Sequence, residues 1–253
     1  MESYSEGFPE VSLNWTAVPA GSPMPGPQER AGTLAPSHGT DTGARSVVER
    51  FLIQERQRHL VSLLHRHGFM PLSGHRILEV GCGTGKWLRE LIALGADPAK
   101  VVGVELLPSS AARARRLCPA PVTIECSNAA NLKFPSESFD IVLQATVFSG
   151  VLDSDMRDAI AAEMLRVVRP AGLILWYDLI VENPWNSCVH PLRKSDVRRM
   201  FPGCSLELRR VGLTPLIAQL LVPRSWRASS ILSSASPLCT HYLGAIRPPW
   251  NHP

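Results

Sequence analysis

An acidic residue followed by three glycines at alternate positions is the feature of this sequence that points most directly to chemistry. The segment runs from Glu79 to Gly85 and reads EVGCGTG. Glycine at every second position lets the chain turn sharply and lets a ligand approach the backbone without Cβ clashes. The carboxylate of Glu79 can accept a hydrogen bond from an amino group, or from water bound to one. We therefore predict a ligand cradle built from the backbone amides of residues 81–85 and from nearby carboxylates.

Two other kinds of glycine-rich turn fit these residues poorly. A P-loop needs the pattern G-x-x-x-x-G-K-[ST]. Here Val80 stands where the first glycine should be, and Trp87 stands where a hydroxyl should hold magnesium. A dinucleotide-binding turn needs G-x-G-x-x-G, which would put Lys86 in the third glycine position and crowd the helix against the strand. Neither ligand class is predicted.

A second carboxylate follows the turn at a spacing that suits a nucleoside. Glu105 stands 20 residues after Gly85, at the end of the next short apolar run. A carboxylate in this position can accept hydrogen bonds from both hydroxyls of a ribose. Open α/β sheets bind ligands at the carboxyl ends of their strands, so Glu79 and Glu105 are expected at one edge.

The elements that must position these residues alternate along the chain. An amphipathic helix is predicted at 45–67, where apolar residues recur at helical spacing. Strands are then predicted at 76–80, 101–104, 122–125, 139–143 and 173–177, with helices at 86–94, 109–117 and 155–168 between them. Such alternation indicates right-handed crossovers and a parallel sheet covered on both faces. A helix at 194–200 and strands at 206–211 and 241–246 follow, the two strands separated by an apolar, partly helical insert at 215–236.

Residues 76–180 resemble a class I S-adenosylmethionine-dependent methyltransferase of the broad small-molecule (type 11-like) kind. The resemblance is carried by ILEVGCGTG at 77–85, GVE at 103–105, NAANLKFP at 128–135, SESFDIV at 136–142 and LRVVRPAG at 165–172. It implies a Rossmann-like, doubly wound α/β sheet of seven strands, mostly parallel, with an antiparallel last strand. It also implies S-adenosylmethionine as the cofactor.

The resemblance carries cofactor contacts over to ten positions: Glu79, Gly81, Cys82, Gly83, Gly85, Glu105, Leu106, Asn128, Ala129 and Gln144. Glu105 takes the ribose-binding role. Asn128 stands where the family usually has an aspartate that binds the adenine amino group, and its amide oxygen can accept the same hydrogen bond. Ala171 replaces a glycine in the turn before the fifth strand, which asks only for a slightly different backbone there.

The chemistry itself leaves a weaker trace in the sequence. A methyl-bearing sulfonium is already a strong electrophile, so the protein mainly has to hold an acceptor in line with it in a dry pocket. A general base is needed only when the acceptor is protonated. We therefore assign no catalytic residue and name three candidates: Tyr177 and Asp178 after the fifth strand, and His190 as a general base.

Composition restricts the partners. The net charge of +4 is spread over arginine-rich helices rather than concentrated in a stripe, which predicts no nucleic-acid partner. The six cysteines show neither a C-x-x-C pair nor a zinc-site spacing, so no metal is expected and a reducing compartment suits them. Neither a secretory signal nor a membrane span is recognisable, which predicts a cytoplasmic protein.

The predicted organisation is a flexible N-terminal arm at 1–42, rich in Pro, Gly, Ser and Thr, followed by one methyltransferase domain at 43–253. The apolar insert leaves three alternatives open: an apolar acceptor, a homodimer face, or contact with a membrane surface. The predicted function is methylation of a small molecule such as a secondary metabolite, a sugar or a lipid-like intermediate. Methylation of a macromolecule, and cofactor binding without catalysis by a partner or regulatory protein, are the alternatives.

Overall fold

The computed structural model describes residues 42–181, 189–233 and 238–249. In chain order the elements are α1 (Thr42–Arg66), β1 (Ile77–Val80), α2 (Lys86–Ala93), β2 (Val101–Glu105), α3 (Pro108–Leu117), β3 (Thr123–Cys126), β4 (Phe139–Ala145), α4 (Ser154–Val167), β5 (Val168–Leu179), α5 (Lys194–Met200), β6 (Ser205–Leu213), α6 (Pro215–Leu221), α7 (Trp226–Leu232) and β7 (Cys239–Arg247). The predicted arm at 1–42 falls almost wholly outside these ranges, as does part of the loop before His190.

The strands form one sheet in the order β3-β2-β1-β4-β5-β7-β6. The strand pairs from β3 to β5 are parallel, whereas β7 is antiparallel to both β5 and β6. This arrangement confirms the predicted seven-stranded, mostly parallel sheet with an antiparallel last strand. It also brings the carboxyl ends of β1, β2, β4 and β5 to one edge, together with the end of β6.

Alternate residues of the central strands supply two apolar layers. Ile77 and Leu175 face the layer that α1, α2 and α3 cover. Leu78 and Ile174 face the layer beneath α4 and α5. Residues of β1 and β2 are buried on both faces, as expected for parallel strands between two helical layers.

Local sequence signals account for the helix starts. Pro108 opens α3, where the missing N–H of proline would have no helical partner. The side chain of Asp153 accepts hydrogen bonds from the amides of Asp155 and Met156 and so caps α4. Strand β5 begins at Val168, earlier than predicted, because Val168 pairs with Phe139 before the register shift that precedes Ile141.

The described part of the predicted insert, 215–233, contains two short helices, α6 and α7, at the edge where β6 ends and β7 begins. Their inner faces join α1 in a third apolar cluster that contains Val48, Phe51, Leu213, Ala218 and Val222. None of the helices within the described ranges combines the length and the apolar character needed to cross a bilayer.

Candidate active site

The glycine-rich turn lies between β1 and α2, and each of its glycines has a positive φ: 67° at Gly81, 53° at Gly83 and 75° at Gly85. A Cβ at Gly81 would lie 2.5 Å from a methyl of Val147, and one at Gly85 would lie 2.5 Å from the sulfur of Cys118. A Cβ at Gly83 would meet no atom within 4 Å. Gly81 and Gly85 thus allow the turn to pack, whereas Gly83 exposes backbone to open space where a ligand can approach.

Backbone amides of this turn donate hydrogen bonds to acceptors within the protein. Cys82 donates to the Val104 carbonyl at 2.9 Å, and Gly85 donates to the Cys82 carbonyl at 2.7 Å. Gly83 donates to Glu105 Oε2 at 2.8 Å. These three amides therefore already have acceptors within the protein, and the predicted contacts of residues 81–85 with a cofactor stay a prediction. Burial also raises the pKa of the Cys82 thiol, so this side chain stays protonated.

Glu105 is buried at the end of β2 beside the turn. Besides its bond from Gly83, it accepts a hydrogen bond from the Leu107 amide at Oε1, at 2.9 Å. Each carboxylate oxygen has a second lone pair, so both can still accept a hydroxyl. The structure therefore gives Glu105 a structural task that the sequence did not show, and leaves the predicted ribose contact open to it.

Glu79 is buried at the end of β1, and its Oε2 has no hydrogen-bond partner among the described residues. Burial raises the pKa of this carboxyl well above its ordinary range, and the charge of Glu90 adds to the rise. The Leu88 amide opposes the shift by hydrogen bonding to the carboxylate. A buried carboxylate oxygen without a donor is costly, and the amino group of a ligand would satisfy it. The residues present thus fit an amino acid that carries an adenosyl group.

Gln144 lies on β4, in register with Val80 on one side and Trp176 on the other. It is fully buried, and its Oε1 accepts a hydrogen bond from the Val147 amide at 3.2 Å. Within the part of the chain that the structure covers, neither Gln144 Nε2 nor Trp176 Nε1 has an acceptor. Gln144 lies next to the end of β1, where the turn begins, so its Nε2 could bind an acceptor atom of a ligand, whereas the Trp176 ring packs against Phe148 and Phe201 in the core.

The remaining predicted cofactor contacts follow β2 and β3, whose register pairs Glu105 with Cys126. Leu106 is half-buried, and Ala129 is buried in the layer beneath α4 and α5. Asn128 is exposed, and its Oδ1 accepts a hydrogen bond from the Ala130 amide at 2.9 Å. One lone pair of that oxygen is still available for an amino group.

Asp178, a candidate catalytic residue, is fully buried on the α4 side of β5. Its Oδ2 accepts from the amides of Phe148 at 3.0 Å and Ser149 at 3.3 Å, and its Oδ1 accepts from Leu179 at 2.8 Å. Burial raises its pKa to about 6, although hydrogen bonds from Ser149, Leu179 and Phe148 oppose the rise. These contacts tie Asp178 to the β4–α4 connection, and its role as a catalytic residue stays a prediction.

Tyr177 faces the opposite side of the sheet and stacks on His241, with ring centroids 4.7 Å apart and 6° between the planes. The ring of Trp87 lies 5.0 Å from Tyr177 on the same side. The guanidinium of Arg56 lies 4.4 Å from the Trp87 ring centroid and pairs with Glu90 at 2.5 Å. Tyr177 is therefore one member of an aromatic and charged cluster beside the carboxyl edge.

Sequence reasoning missed the other members of this cluster. Arg56, Trp87, Tyr177 and His241 come from α1, α2, β5 and β7, and no local spacing connects them. Burial, aided by the charge of Arg56, lowers the pKa of His241 to about 4, so this ring is neutral near neutral pH. A histidine in the last strand was visible in the sequence, but its partners were not.

His190 is exposed, and its amide donates to the Ser149 carbonyl at 2.9 Å. This bond brings the segment before α5 next to the connection that Asp178 holds. Residues 182–188, which precede it, lie outside the described ranges. The role of His190 as a general base stays a prediction.

A doubly wound sheet with antiparallel β7, and an acid–glycine turn at its carboxyl edge, define a Rossmann-like domain of the class I methyltransferase type. The sequence profile of a family described as a methyltransferase domain matches residues 77–172. These findings together confirm the predicted resemblance of residues 77–172 to the S-adenosylmethionine-dependent methyltransferases, and S-adenosylmethionine is the cofactor that this resemblance implies.

Several proteins resemble this chain. The phthiotriol/phenolphthiotriol dimycocerosates methyltransferase 1 of Mycobacterium ulcerans (strain Agy99) is 33% identical over 137 residues, which are 51% of this chain and 47% of that protein. The tRNA N(3)-cytidine methyltransferase of Gallus gallus is 31% identical over 114 residues, 42% of this chain and 30% of that protein. The crystal structure of an S-adenosylmethionine-dependent methyltransferase from Mesorhizobium loti covers 71% of this chain and 94% of its own, at 19% identity and a TM-score of 0.51.

The chain spans less than half the length of these two curated relatives. One relative is named for a small molecule and the other for a tRNA base, so the similarity extends to the methyltransferase domain and does not select an acceptor.

Proposed function

We propose that this protein transfers a methyl group from S-adenosylmethionine to a small, apolar acceptor molecule. The observation that carries the proposal is the buried, unpartnered Oε2 of Glu79 next to open space at Gly83. A buried carboxyl group at a strand end and a ligand-accessible glycine backbone together suit an amino acid joined to a nucleoside.

The chain's own residues would bind the cofactor and orient it. Glu79 would accept a hydrogen bond from the amino group of the cofactor, and Glu105 would accept hydrogen bonds from the ribose hydroxyls. Gln144 Nε2, which has no acceptor among the described residues, would donate to an acceptor atom of the cofactor. Asp178 holds the amides of Phe148 and Ser149, and so fixes the connection that borders the turn. Bound S-adenosylmethionine would supply an electrophilic methyl group, which is why no strong base is required of the protein.

The apolar character of the acceptor is inferred from the surroundings of this edge. Helices α6 and α7 begin where β6 ends, and they carry several exposed aliphatic side chains. An acceptor that binds next to such elements would be apolar rather than a sugar. The relative from Mycobacterium ulcerans, which is named for phthiotriol and phenolphthiotriol dimycocerosates, supports a small-molecule acceptor.

Calorimetry with Glu79→Gln tests the cofactor site. The substitution preserves shape but replaces a carboxyl oxygen by an amide nitrogen, which cannot accept a hydrogen bond from the amino group of the cofactor, so affinity for S-adenosylmethionine should fall by about tenfold to a hundredfold. Glu49→Gln, at an exposed position on α1, is the matched control and should bind like the wild type. Equal affinity in the Glu79 variant would refute its role.

Turnover assays on three acceptor classes then test the proposed reaction: apolar phenols and quinols, sugars, and tRNA. Methylation of the apolar class supports the proposal. Methylation of tRNA alone would replace it with the macromolecular alternative. Tight cofactor binding without turnover on any class would favour a non-catalytic binding protein.

A further inference from the structure

Helices α6 and α7 present an unusual surface at the edge of the sheet that holds the candidate active site. Four of their large apolar side chains are exposed: Leu216 by 67%, Leu220 by 60%, Trp226 by 40% and Ile231 by 73%. Leu216 and Leu220 are one turn apart on α6, so their side chains lie on the same face. The ring of Trp226 meets the ring of Phe51 edge to face, with the ring centroids 4.9 Å apart.

Exposed arginines accompany these apolar side chains. Arg224 follows α6, and Arg227 lies one turn before Ile231 on α7. No aspartate or glutamate occurs from Leu208 to Pro253, a stretch that contains five arginines. We call Leu216, Leu220, Trp226, Ile231, Arg224 and Arg227 the apolar–basic face.

The neighbouring helix α1 does not cancel this charge. It presents Arg50 and Glu49 at exposed positions, and its exposed Arg58 pairs with the buried Glu55. Its other nearby acid, Glu55, is buried and accepts hydrogen bonds from Ser230 and Ser233 of the insert. The acidic group closest to α7 is thus turned inward, and positive charge dominates the exposed side.

Three occupants of the face differ in how well they match it. A second copy of the chain in a two-fold dimer would bring arginines of both copies together with no acid on the face to compensate. RNA would pair with the arginines but leave the aliphatic side chains in water. An anionic lipid surface matches both the aliphatic side chains and the arginines, because acyl chains bury the apolar groups and phosphates bind the guanidinium groups. Tryptophan is also suited to the boundary between headgroups and acyl chains.

We propose that the apolar–basic face docks this protein on anionic membranes, with the active-site edge turned towards the lipid. The connection from β6 to β7 lies at the same edge as the carboxyl ends of β1, β2 and β4, so docking places the acceptor region at the lipid surface. This inference goes beyond the proposed function and needs no particular methyl acceptor.

Flotation of the full chain with lipid vesicles tests the docking. Vesicles of phosphatidylcholine with phosphatidylglycerol should carry the wild type, vesicles of phosphatidylcholine alone should carry much less, and added salt should release it. The triple variant Leu216→Ser, Leu220→Ser, Ile231→Ser should lose at least about tenfold in vesicle affinity. The pair Arg224→Gln, Arg227→Gln should lose about tenfold or more while keeping every apolar group.

Two matched controls carry the same changes elsewhere. Leu117→Ser alters an apolar side chain that is 47% exposed at the end of α3, on the opposite edge of the sheet. Arg198→Gln alters an exposed arginine on α5. Both should float like the wild type. Melting temperature and cofactor affinity, measured for each variant, verify that the fold and the cofactor site are intact.

Each other outcome overturns the proposal. Absence of the wild type from anionic vesicles would do so, as would undiminished flotation of the serine variant. Light scattering that shows a dimer dissociated by the serine changes would make the face a contact between copies. RNA binding lost in the glutamine pair but kept in the serine variant, without flotation, would make it a nucleic-acid surface. None of these results would alter the calorimetric test of Glu79.

Discussion

At the scale of single residues, Glu105 combines two tasks at the candidate site. Its carboxylate holds the amide of Gly83 and the amide of Leu107, so it ties the glycine-rich turn to the end of β2. The same oxygens have lone pairs left for the ribose of a cofactor. Binding and local folding are therefore coupled at this side chain.

Replacing Glu105 by alanine should weaken cofactor binding by about 1–3 kcal/mol and lower the free energy of unfolding by a similar amount. The Glu105→Gln variant keeps one carbonyl oxygen and should lose less stability than the alanine variant. Calorimetry and chemical denaturation measure the two effects separately. Unchanged cofactor affinity in the alanine variant would remove Glu105 from the site, whatever happens to stability.

At the scale of elements, one buried carboxylate fixes the connection between β4 and α4. Asp178 accepts hydrogen bonds from three amides, two of which belong to Phe148 and Ser149 in that connection. Thr146, at its start, has a φ of 56°, which is costly for a β-branched residue. The Thr146 amide donates to the Tyr177 carbonyl at 2.7 Å, and this bond helps to hold the strained backbone.

The titration of Asp178 should be visible in the pH dependence of stability. Burial raises its pKa to about 6, so the native state binds this proton more tightly than the unfolded state does. This tighter proton binding stabilises the native state, and the stabilisation is fully present below about pH 4 and is lost as the pH rises through about 6. Asp178→Asn cannot titrate, so the free energy of unfolding of the wild type should fall relative to the variant between about pH 4 and pH 7.

Urea denaturation of both proteins across that range measures the difference. Histidines and the other carboxylates are common to both proteins, so their titrations largely cancel in the comparison. A difference that is constant with pH would show that the Asp178 pKa is not raised.

At the scale of the whole molecule, α1 connects the sheet to the insert. Glu55, buried on α1, accepts hydrogen bonds from Ser230 at 3.1 Å and from Ser233 at 2.8 Å, and forms an ion pair with Arg58. The two hydrogen bonds from the serines join residues more than 170 positions apart in the chain. The insert therefore depends on α1 for its place at the active-site edge.

Glu55→Ala should lower the free energy of unfolding by about 2–3 kcal/mol, because it leaves hydroxyls near the third apolar cluster without their acceptor. Glu49→Ala, on the exposed side of the same helix, should change stability by less than about 0.5 kcal/mol. Hydrogen exchange should show faster exchange at α7 in the Glu55 variant only. Equal stability of the two variants would show that α1 and α7 are held together by apolar contacts alone.

The amino-acid sequence was sufficient for the features that depend on neighbours in the chain. Each strand, glycine turn and helix start depends on a short segment of the sequence. The order of elements and the positions of Glu79 and Glu105 at strand ends could therefore be predicted. The carboxyl ends of parallel strands necessarily share one edge, so the position of each acid at the end of its strand was enough to predict that the two lie together.

Only the tertiary structure decided which atoms meet. Tyr177 and Asp178 are adjacent in sequence, yet alternation along β5 sends one into the aromatic cluster with His241 and the other behind the β4–α4 connection. The amides of the glycine turn looked free but are bound by Val104 and Glu105. Such contacts join residues far apart in the chain, and their geometry follows from packing of the whole domain rather than from local spacing.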